Sequence, residues 1–310
     1  MRVAVCYTKS GISGEAICSA FIEGVQASGD VAVAVRSRFE LRTIDRCDVI
    51  VHVGDVNPHN EYTRADEAIL FRGEAADRCG EWGIRRIVID TGFLSNQRLQ
   101  PVHNRPDANR YYSVGLDGTK GNGRYYNLNR PPDRWRQLNL SLRPWRSAGE
   151  QVLILGQMRF SASTFHLDIL DWYVDVAKQI RSVSDRPIVL RAHPNQTLLP
   201  KIDVPHFRIR TNENMPEISV DLENAWCVVT KTSNGAVDAL VQGIPVITDD
   251  PFCMAYSVAE HNIANIEHPH QADREPWLHD LAYAQWNVDE MAAGLPWQHL
   301  RTHLTAAVGV

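Results

Sequence analysis

Apolar and polar positions alternate along this chain in the pattern of an α/β protein. Short apolar runs rich in Val and Ile are separated by longer segments in which apolar residues recur every three or four positions. The short runs predict buried strands, and the longer segments predict helices. Strands that alternate with helices favour parallel sheets covered by helices on both faces. The strand-like runs lie at residues 3–7, 31–35, 49–53, 87–90, 151–155, 188–191, 227–230 and 244–248.

The pattern also predicts how the chain is divided into domains. A chain of 310 residues exceeds the usual size of a single core. We expect a first Rossmann-like domain over residues 1–148 and a second over residues 149–266. Residues 267–310 have the amphipathic spacing and the Trp content of a helical tail.

Composition places the chain among globular enzymes of the cytoplasm. Its hydrophobic content of 44% and charged content of 22% are ordinary for a globular domain. No apolar run approaches the roughly 18–20 residues of a membrane span, and Met1-Arg2 leads directly into the first strand-like run. The six cysteines form no C-x-x-C pair, so we expect buried thiols in a reducing compartment.

Residues 227–250 hold the most informative pattern, CVVTKTSNGAVDALVQGIPVITDD. They predict a strand, a polar turn, a helix that ends at Gly243, and a second strand. Lys231, Ser233, Asn234 and Gly235 open the helix at the carboxyl end of the first strand. Free N–H groups and the helix dipole favour an anion there, although the same turn is compatible with simple helix capping.

Polar residues also follow two other predicted strands. Gln157 and Arg159 follow the run at 151–155, and His193-Pro194 follows the run at 188–191. Carboxyl ends of parallel strands share one edge of a sheet, so these side chains are expected to lie near the turn at Lys231. A His-Pro pair alone is more typical of an ordinary loop.

The order of these motifs resembles the nucleotide-sugar-binding half of GT-B glycosyltransferases, above all the capsular-polysaccharide type. The similar motifs are Gly156-Gln157, His193-Pro194, Ser233 with Asp238-Ala239-Leu240, and Gly243-Ile244-Pro245-Val246. In the family, the position of Asp238 usually holds a Glu whose carboxylate contacts the ribose of the donor. The Asp238 side chain is one methylene shorter, which is a departure from the family pattern. Residues 89–94, IDTGFL, are similar to an Asp-Gly-Phe-Leu segment of the family's first half.

The resemblance implies a fold and an activity. The fold would consist of two Rossmann-like domains with a cleft between them, and the last helices would cross back onto the first domain. The activity would be sugar transfer from a nucleotide sugar, linked to UDP, GDP or CMP, without a further cofactor. With the strand-end positions described above, the predicted donor-binding residues are Gln157, Arg159, His193, Lys231, Ser233, Asn234, Gly235 and Asp238.

Sugar transfer needs a carboxylate near the acceptor hydroxyl or the anomeric carbon. Asp90 ends a predicted strand and is followed by Gly92, which leaves the loop open. Asp55 ends a neighbouring strand and is the competing candidate. Either residue is also suited to capping a helix.

The segment from 98 to 146 departs from the α/β pattern. It contains ten Lys or Arg against three Asp, a local charge of +7 in a chain whose net charge is −5. Basic residues interleaved with aromatics are typical of a nucleic-acid contact. The alternatives are a solvated linker whose Arg side chains stack on Tyr rings, and a site for an acidic glycan. The predicted DNA contacts are Lys120, Arg124, Tyr125, Tyr126 and Arg134.

Residues 113–135 and 281–300 also resemble proteins of bacteriophage genomes. The acceptor implied by that resemblance is a 5-hydroxymethylpyrimidine base of phage DNA. A surface or capsular glycan is the alternative acceptor, and an epimerase-like or sugar-nucleotide-binding protein is the alternative class. His299 and His303 have helical spacing but no third ligand, so no metal site is predicted.

Overall fold

A computed structural model describes residues 1–8, 12–56, 66–94, 110–159, 161–164, 166–213 and 215–304. The chain divides into two compact units. The first unit contains Met1–Leu138 together with His279–Val310, and the second contains Asn139–Leu278. The helical tail therefore contributes to the first unit.

The elements alternate along the chain, and their bounds follow in order. The strands are β1 Arg2–Cys6, β2 Val31–Val35, β3 Val49–Val53, β4 Arg85–Thr91, β5 Tyr112–Leu116, β6 Gln151–Leu155, β7 Ile188–Arg191, β8 Phe207–Arg210, β9 Ala225–Val229, β10 Val246–Ile247 and β11 Gln285–Trp286. The helices are α1 Ile12–Ala27, α2 Arg38–Thr43, α3 Glu67–Trp82, α4 Asp133–Gln137, α5 Ile169–Val183, α6 Ile218–Glu223, α7 Gly235–Val241, α8 Glu275–Ala282, α9 Val288–Ala292 and α10 Leu295–Arg301.

The sheet of the first unit has the order β11-β5-β4-β3-β1-β2. Strands β2, β1, β3 and β4 are parallel, whereas β5 is antiparallel to both of its neighbours, β4 and β11. The order reverses between β1 and β3, which marks the carboxyl ends of these strands as the usual position of a ligand site.

Two apolar clusters cover the two faces of this sheet. On one face α1 packs against α9 and α10, and Trp297 of α10 meets Phe21 of α1 edge-on at a centroid distance of 6.5 Å. On the other face Leu41 of α2 and Phe71 of α3 form the core. The tail helices thus supply part of the core of the first unit.

The second unit contains a five-stranded parallel sheet of order β10-β9-β6-β7-β8. Alternate residues of β6 point to opposite faces, with Ile154 in the core under α5 and Leu153 in the core under α7. The strand order reverses between β6 and β9. Their carboxyl ends are therefore the expected ligand position in this unit.

The predicted fold class is confirmed, since both sheets are rich in parallel strands and carry helices on both faces. All six cysteines are buried free thiols. The sequence pattern gives no strand between residues 98 and 146, whereas β5 lies there. Gly115 interrupts the apolar pattern of this strand. The structure leaves no room for a side chain there, since an added Cβ would lie 2.8 Å from the ring of Tyr125. Among the helices of the described residues, none has the length and apolar character of a membrane span.

Candidate functional site

Gln157 bridges the two central strand ends of the second unit. Its Oε1 accepts the N–H of Thr232 at 2.9 Å, and its Nε2 donates to Thr232 Oγ1 at 2.5 Å. Its backbone is held by the Tyr173 hydroxyl, which accepts from the Gln157 N–H and donates to the Gln157 carbonyl. Both ends of the amide make hydrogen bonds within the protein, and the donor contact through this side chain stays a prediction. Gln157 fixes the turn that follows β9.

Buried hydroxyls extend this bridge into the loop that follows β6. Thr232 Oγ1 donates to Ser163 Oγ at 2.9 Å, and Ser163 Oγ lies 3.1 Å from Ser161 Oγ. Ser163 and Thr232 are both buried. Sequence reasoning did not identify Ser161 or Ser163, since a Ser-rich loop is an unspecific signal.

Lys231 lies at the end of β9, as the sequence predicts. Its Nζ is 2.6 Å from Asp249 Oδ1 and 5.8 Å from the centre of the Trp172 ring. The ammonium group has three N–H donors, so this ion pair leaves capacity for a further anion. Asp249 fixes the position of the cation at the sheet edge.

Ser233, Asn234 and Gly235 form the turn before α7. Ser233 Oγ accepts the Gly235 N–H at 3.3 Å, and Asn234 is the N-cap residue without a side-chain capping bond. An added Cβ at Gly235 would lie 2.7 Å from Leu155 Cδ1. Packing against β6 therefore accounts for the glycine, and helix α7 is only seven residues long.

Asp238 lies on α7, one turn after these residues, and is half-buried. Burial raises the pKa of its carboxyl group from 3.8 to about 7. Burial therefore favours the neutral form of this carboxyl group. The ribose contact implied by the family resemblance stays a prediction.

His193 and Arg159 occupy the neighbouring strand ends. His193 Nδ1 accepts the N–H of Asn195 at 3.1 Å, which places the proton of a neutral imidazole on Nε2. Arg159 donates its backbone N–H to Gln196 Oε1 and pairs with Asp168 at 2.6 Å. The structure thus brings the predicted residues of β6, β7 and β9 to one edge of one sheet.

In the first unit, Asp55 follows β3, and Asp90 lies near the end of the neighbouring parallel strand β4. The side chain of Asp55 is 7% exposed, and its Oδ2 accepts the Thr119 N–H at 3.1 Å. Burial raises the pKa of Asp55, the Arg86 guanidinium at 3.6 Å opposes the rise, and the charge of Asp90 adds to it. Asp90 is half-buried and accepts the N–H of Thr91 at 2.7 Å.

Three further ionisable groups surround these carboxylates. Burial lowers the pKa of His52 to about 3, so that imidazole is neutral. Burial and the charges of Asp90 and Asp55 hold the pKa of the Tyr125 phenol well above its usual value. Arg72 packs against Gly54, which has a φ of +85° and whose added Cβ would lie 2.7 Å from Arg72 Nη1. Arg72 has no motif around it, so sequence reasoning missed it.

The structure contradicts the predicted surface role of Arg134. This side chain is buried, pairs with Glu290 at 2.7 Å, and donates to the carbonyls of Ala282 and Gln285. Its guanidinium also lies 3.9 Å from the centre of the Trp286 ring. Burial leaves Arg134 no surface to offer DNA, and stacking of Arg on aromatic rings was the alternative that the sequence left open.

Two other predicted DNA contacts are engaged in packing. Tyr125 is buried against Phe93 in an edge-on contact of 5.8 Å, so it too offers no face to a base. Tyr126 stacks on His303 at 3.8 Å. Arg124 is exposed and Lys120 half-buried, so their DNA contacts stay predictions. Residues 98–109 of the basic segment lie outside the described residues.

No protein-family model matches this sequence, and a comparison with curated proteins finds no match. Two solved structures are similar over nearly the whole chain. The β-Kdo 2,4-transferase of KpsC from Thermosulfurimonas dismutans is 13% identical with a TM-score of 0.50, covering 94% of this chain and 98% of its own. The β-Kdo 2,7-transferase of the same protein is 14% identical with a TM-score of 0.51, covering 97% of this chain and 100% of its own. The GT-B-like fold expected from the sequence is thereby confirmed.

Proposed function

We propose that the protein is a glycosyltransferase that moves a sugar from a nucleotide-activated donor to a hydroxyl group. The main support is the convergence of His193, Arg159 and Lys231 from three separate strand ends on the edge where the strand order of the second sheet reverses. Fold similarity to two sugar transferases supports the same conclusion. A fold alone does not establish an activity, so the arrangement of the site carries the proposal.

The second unit binds the nucleotide phosphate in this proposal. Charge develops on the leaving phosphate during transfer, and preorganised cations and N–H donors stabilise it. Lys231 is held by Asp249, and His193 has Nε2 as its donor atom. Ser233 belongs to the same turn, and its hydroxyl adds a further hydrogen-bond donor.

The first unit provides the carboxylate in this proposal. Asp90 is the more accessible of the two candidates, and it acts on the acceptor hydroxyl or on the developing positive charge of the sugar. Asp55 already accepts hydrogen bonds from Val56 and Thr119 and is shielded from solvent. We assign Asp55 a supporting role, in which it holds the Arg86 guanidinium and the Thr119 N–H in place.

The acceptor in this proposal is a glycan rather than phage DNA. Arg134 and Tyr125, two of the five residues predicted to grip DNA, are buried in the first unit. The two similar structures are Kdo transferases by name, which makes an acid sugar such as Kdo the first donor to test. Neither the described surface nor the similar structures offer support for a phage origin.

The decisive experiment incubates the protein with UDP-, GDP- and CMP-linked sugars, acid sugars included. Each donor is offered alone, with surface-glycan acceptors, and with hydroxymethylated DNA, and products are identified by mass analysis. We expect a glycosylated glycan and released nucleotide with one donor class, both abolished in Asp90→Asn. Conversion of a donor without any acceptor would instead indicate an epimerase-like enzyme. Absence of turnover with every donor would contradict the proposal.

A further inference from the structure

Arg72 of α3 reaches the carboxyl end of β3 through a space that a glycine leaves open. Gly54, the residue after β3, has a φ of +85°, and an added Cβ there would lie 2.7 Å from Arg72 Nη1 and 3.1 Å from Arg72 Cζ. The Gly54 N–H donates to the Ile89 carbonyl at 2.7 Å, and His52 Nδ1 donates to the Gly54 carbonyl at 2.9 Å. The backbone against which the guanidinium packs is therefore held on both sides.

The guanidinium of Arg72 uses only one of its donor atoms within the part of the chain that the structure describes. Its Nε donates to the Ala68 carbonyl at 3.1 Å. Neither Nη group forms a hydrogen bond to a described residue, and no described carboxylate lies within the 4.0 Å of an ion pair. Nη1 of the neighbouring Arg86 is closed off from solvent, whereas the Nη groups of Arg72 are not. The four N–H groups on the two Nη atoms therefore stay available to a ligand.

The carboxylates whose charges act on Arg72 are bonded to other groups. Burial lowers the pKa of Arg72, and the charges of three aspartates oppose that decrease. Each of the three accepts a backbone N–H at another position: Asp66 that of Ala68, Asp90 that of Thr91, and Asp55 that of Thr119. A partly buried cation is stabilised when an anion pairs with it directly. Arg72 is therefore positioned for an anion that a substrate brings.

A carboxylate is the anion that suits this position best. The planar guanidinium binds a carboxylate through two parallel hydrogen bonds. An acidic sugar whose hydroxyl group approaches Asp90 would be repelled by the charges of Asp90 and Asp55. The positive charge of Arg72, which acts on both aspartates, offsets that repulsion. Asp90 and Arg72 together thus match a sugar that carries a hydroxyl group and a carboxylate.

We propose that Arg72 binds the carboxylate of an acidic sugar in the acceptor glycan and thereby selects acidic over neutral acceptors. This inference rests on the proposed function, in which Asp90 acts on the acceptor hydroxyl. Arg72, Gly54, Asp55 and Asp90 all belong to the first unit. Gly54 is the positioning residue, because only a residue without a side chain leaves the guanidinium its place.

The test compares acidic acceptors with their carboxyl-reduced forms, in which a hydroxymethyl group replaces each carboxylate. The probes are uronic-acid and ulosonic-acid glycans, and the full chain is assayed for kcat/KM of transfer and, without donor, for binding by calorimetry. The wild-type protein should prefer the acid over the alcohol about ten- to hundredfold, the range for one charged hydrogen-bonded pair. Arg72→Gln should abolish this preference, whereas Arg72→Lys keeps the charge without the planar fork and should retain part of it. The matched control is Arg78→Ala on the same helix, whose side chain pairs with Glu81 and should not affect the preference.

The outcomes separate this inference from the proposed function. Equal transfer to acid and alcohol by the wild-type protein, or a preference for the acid that survives in Arg72→Gln, would overturn the inference alone. Arg72→Gln that lowers transfer to both acceptors by the same factor would also overturn it, since Arg72 would then act through Asp90 or the fold. Binding with an Arg72-dependent preference for the acid, but no transfer from any donor, would contradict only the proposed function. A wild-type protein that neither binds nor glycosylates any of these acceptors would overturn both.

Discussion

Lys231 is the residue whose charge the proposed donor site depends on most directly. Lys231→Ala should weaken nucleotide binding by about 1.5 to 3 kcal/mol, the range for hydrogen bonds to charged groups. The fold should remain intact, because its partner Asp249 is largely exposed and such pairs add little stability. Calorimetric titration with nucleotide measures the change, and Lys201→Ala, an exposed lysine of the same unit, is the control. Equal affinities for both variants would remove Lys231 from the site.

Asp90 and Asp55 differ in accessibility, and this difference predicts different kinetic defects. Asp90→Asn should lower kcat by orders of magnitude with little change in donor affinity, since its interaction is made in the transition state. Asp55→Asn retains an acceptor for Thr119 and should reduce kcat less. Steady-state kinetics on both variants decide the order. A near-normal Asp90→Asn beside an inactive Asp55→Asn would exchange the two roles.

Asp238 makes the stability of the protein depend on pH. Its folded pKa of about 7 lies above the ordinary value of 3.8, so the stability it contributes is present below about pH 4 and is lost as the pH rises through 7. Asp238→Asn should remove this part of the pH dependence, a difference on the order of a few kcal/mol between pH 4 and pH 8. Urea unfolding of both proteins across that range measures it. Parallel stability profiles would show that the carboxyl is solvated.

At the scale of elements, helix α4 is tied to the tail by one buried cation. Arg134→Ala removes the ion-pair partner of Glu290 and the guanidinium donors to two carbonyls. Breaking such a buried pair costs about 3 to 5 kcal/mol. Arg136→Ala, an exposed arginine on the same helix, should change the free energy of unfolding by less than about 0.5 kcal/mol. Chemical denaturation that finds equal stabilities for the two variants would contradict the buried role.

The sequence predicts the elements whose bounds depend on neighbouring residues, such as a glycine that ends a helix or an apolar run that forms a strand. Gly243 has a φ of +79° directly after α7, where the sequence predicts the end of that helix. The strand ends near Asp90, His193 and Lys231 follow from apolar runs that give way to polar residues. Arg134 could not be placed in this way, because its partner Glu290 is 156 residues away. A basic residue in a basic segment gives no local sign of a distant buried carboxylate.

The loop after β6 shows the same limit within the candidate site. Gln157 was identified through a family motif, but its partner Thr232 is 75 residues away, and only the fold brings the two together. Ser163 belongs to no motif and meets Thr232 only because β6 and β9 are neighbours in the sheet. The sequence motifs therefore identify the sheet edge at which the candidate site lies. The hydrogen bonds that hold the site together are visible only in the structure.

At the scale of the whole molecule, a chain with a net charge of −5 contains a strongly basic segment at residues 98–146. Part of that basic charge is neutralised inside the first unit, where Arg134 pairs with Glu290. An ion pair that is satisfied internally releases no counterions when a polyanion binds. The raw charge of the segment thus overstates the positive surface available to DNA.

The acceptor prediction follows from this argument. We expect the wild-type protein to show no steep salt-dependent affinity for hydroxymethylated or unmodified DNA between 50 and 200 mM salt, as measured by fluorescence anisotropy. We expect glycan glycosylation to be unchanged in Lys120→Ala and Arg124→Ala, the two predicted DNA contacts that are not fully buried. If the wild-type protein instead binds DNA and each of these variants flattens the salt slope by about one unit, the two cations contact phosphates. That result would make DNA the acceptor in place of a glycan. A steep salt dependence reports counterions released from DNA phosphates, and transfer to a glycan does not require such phosphate contacts.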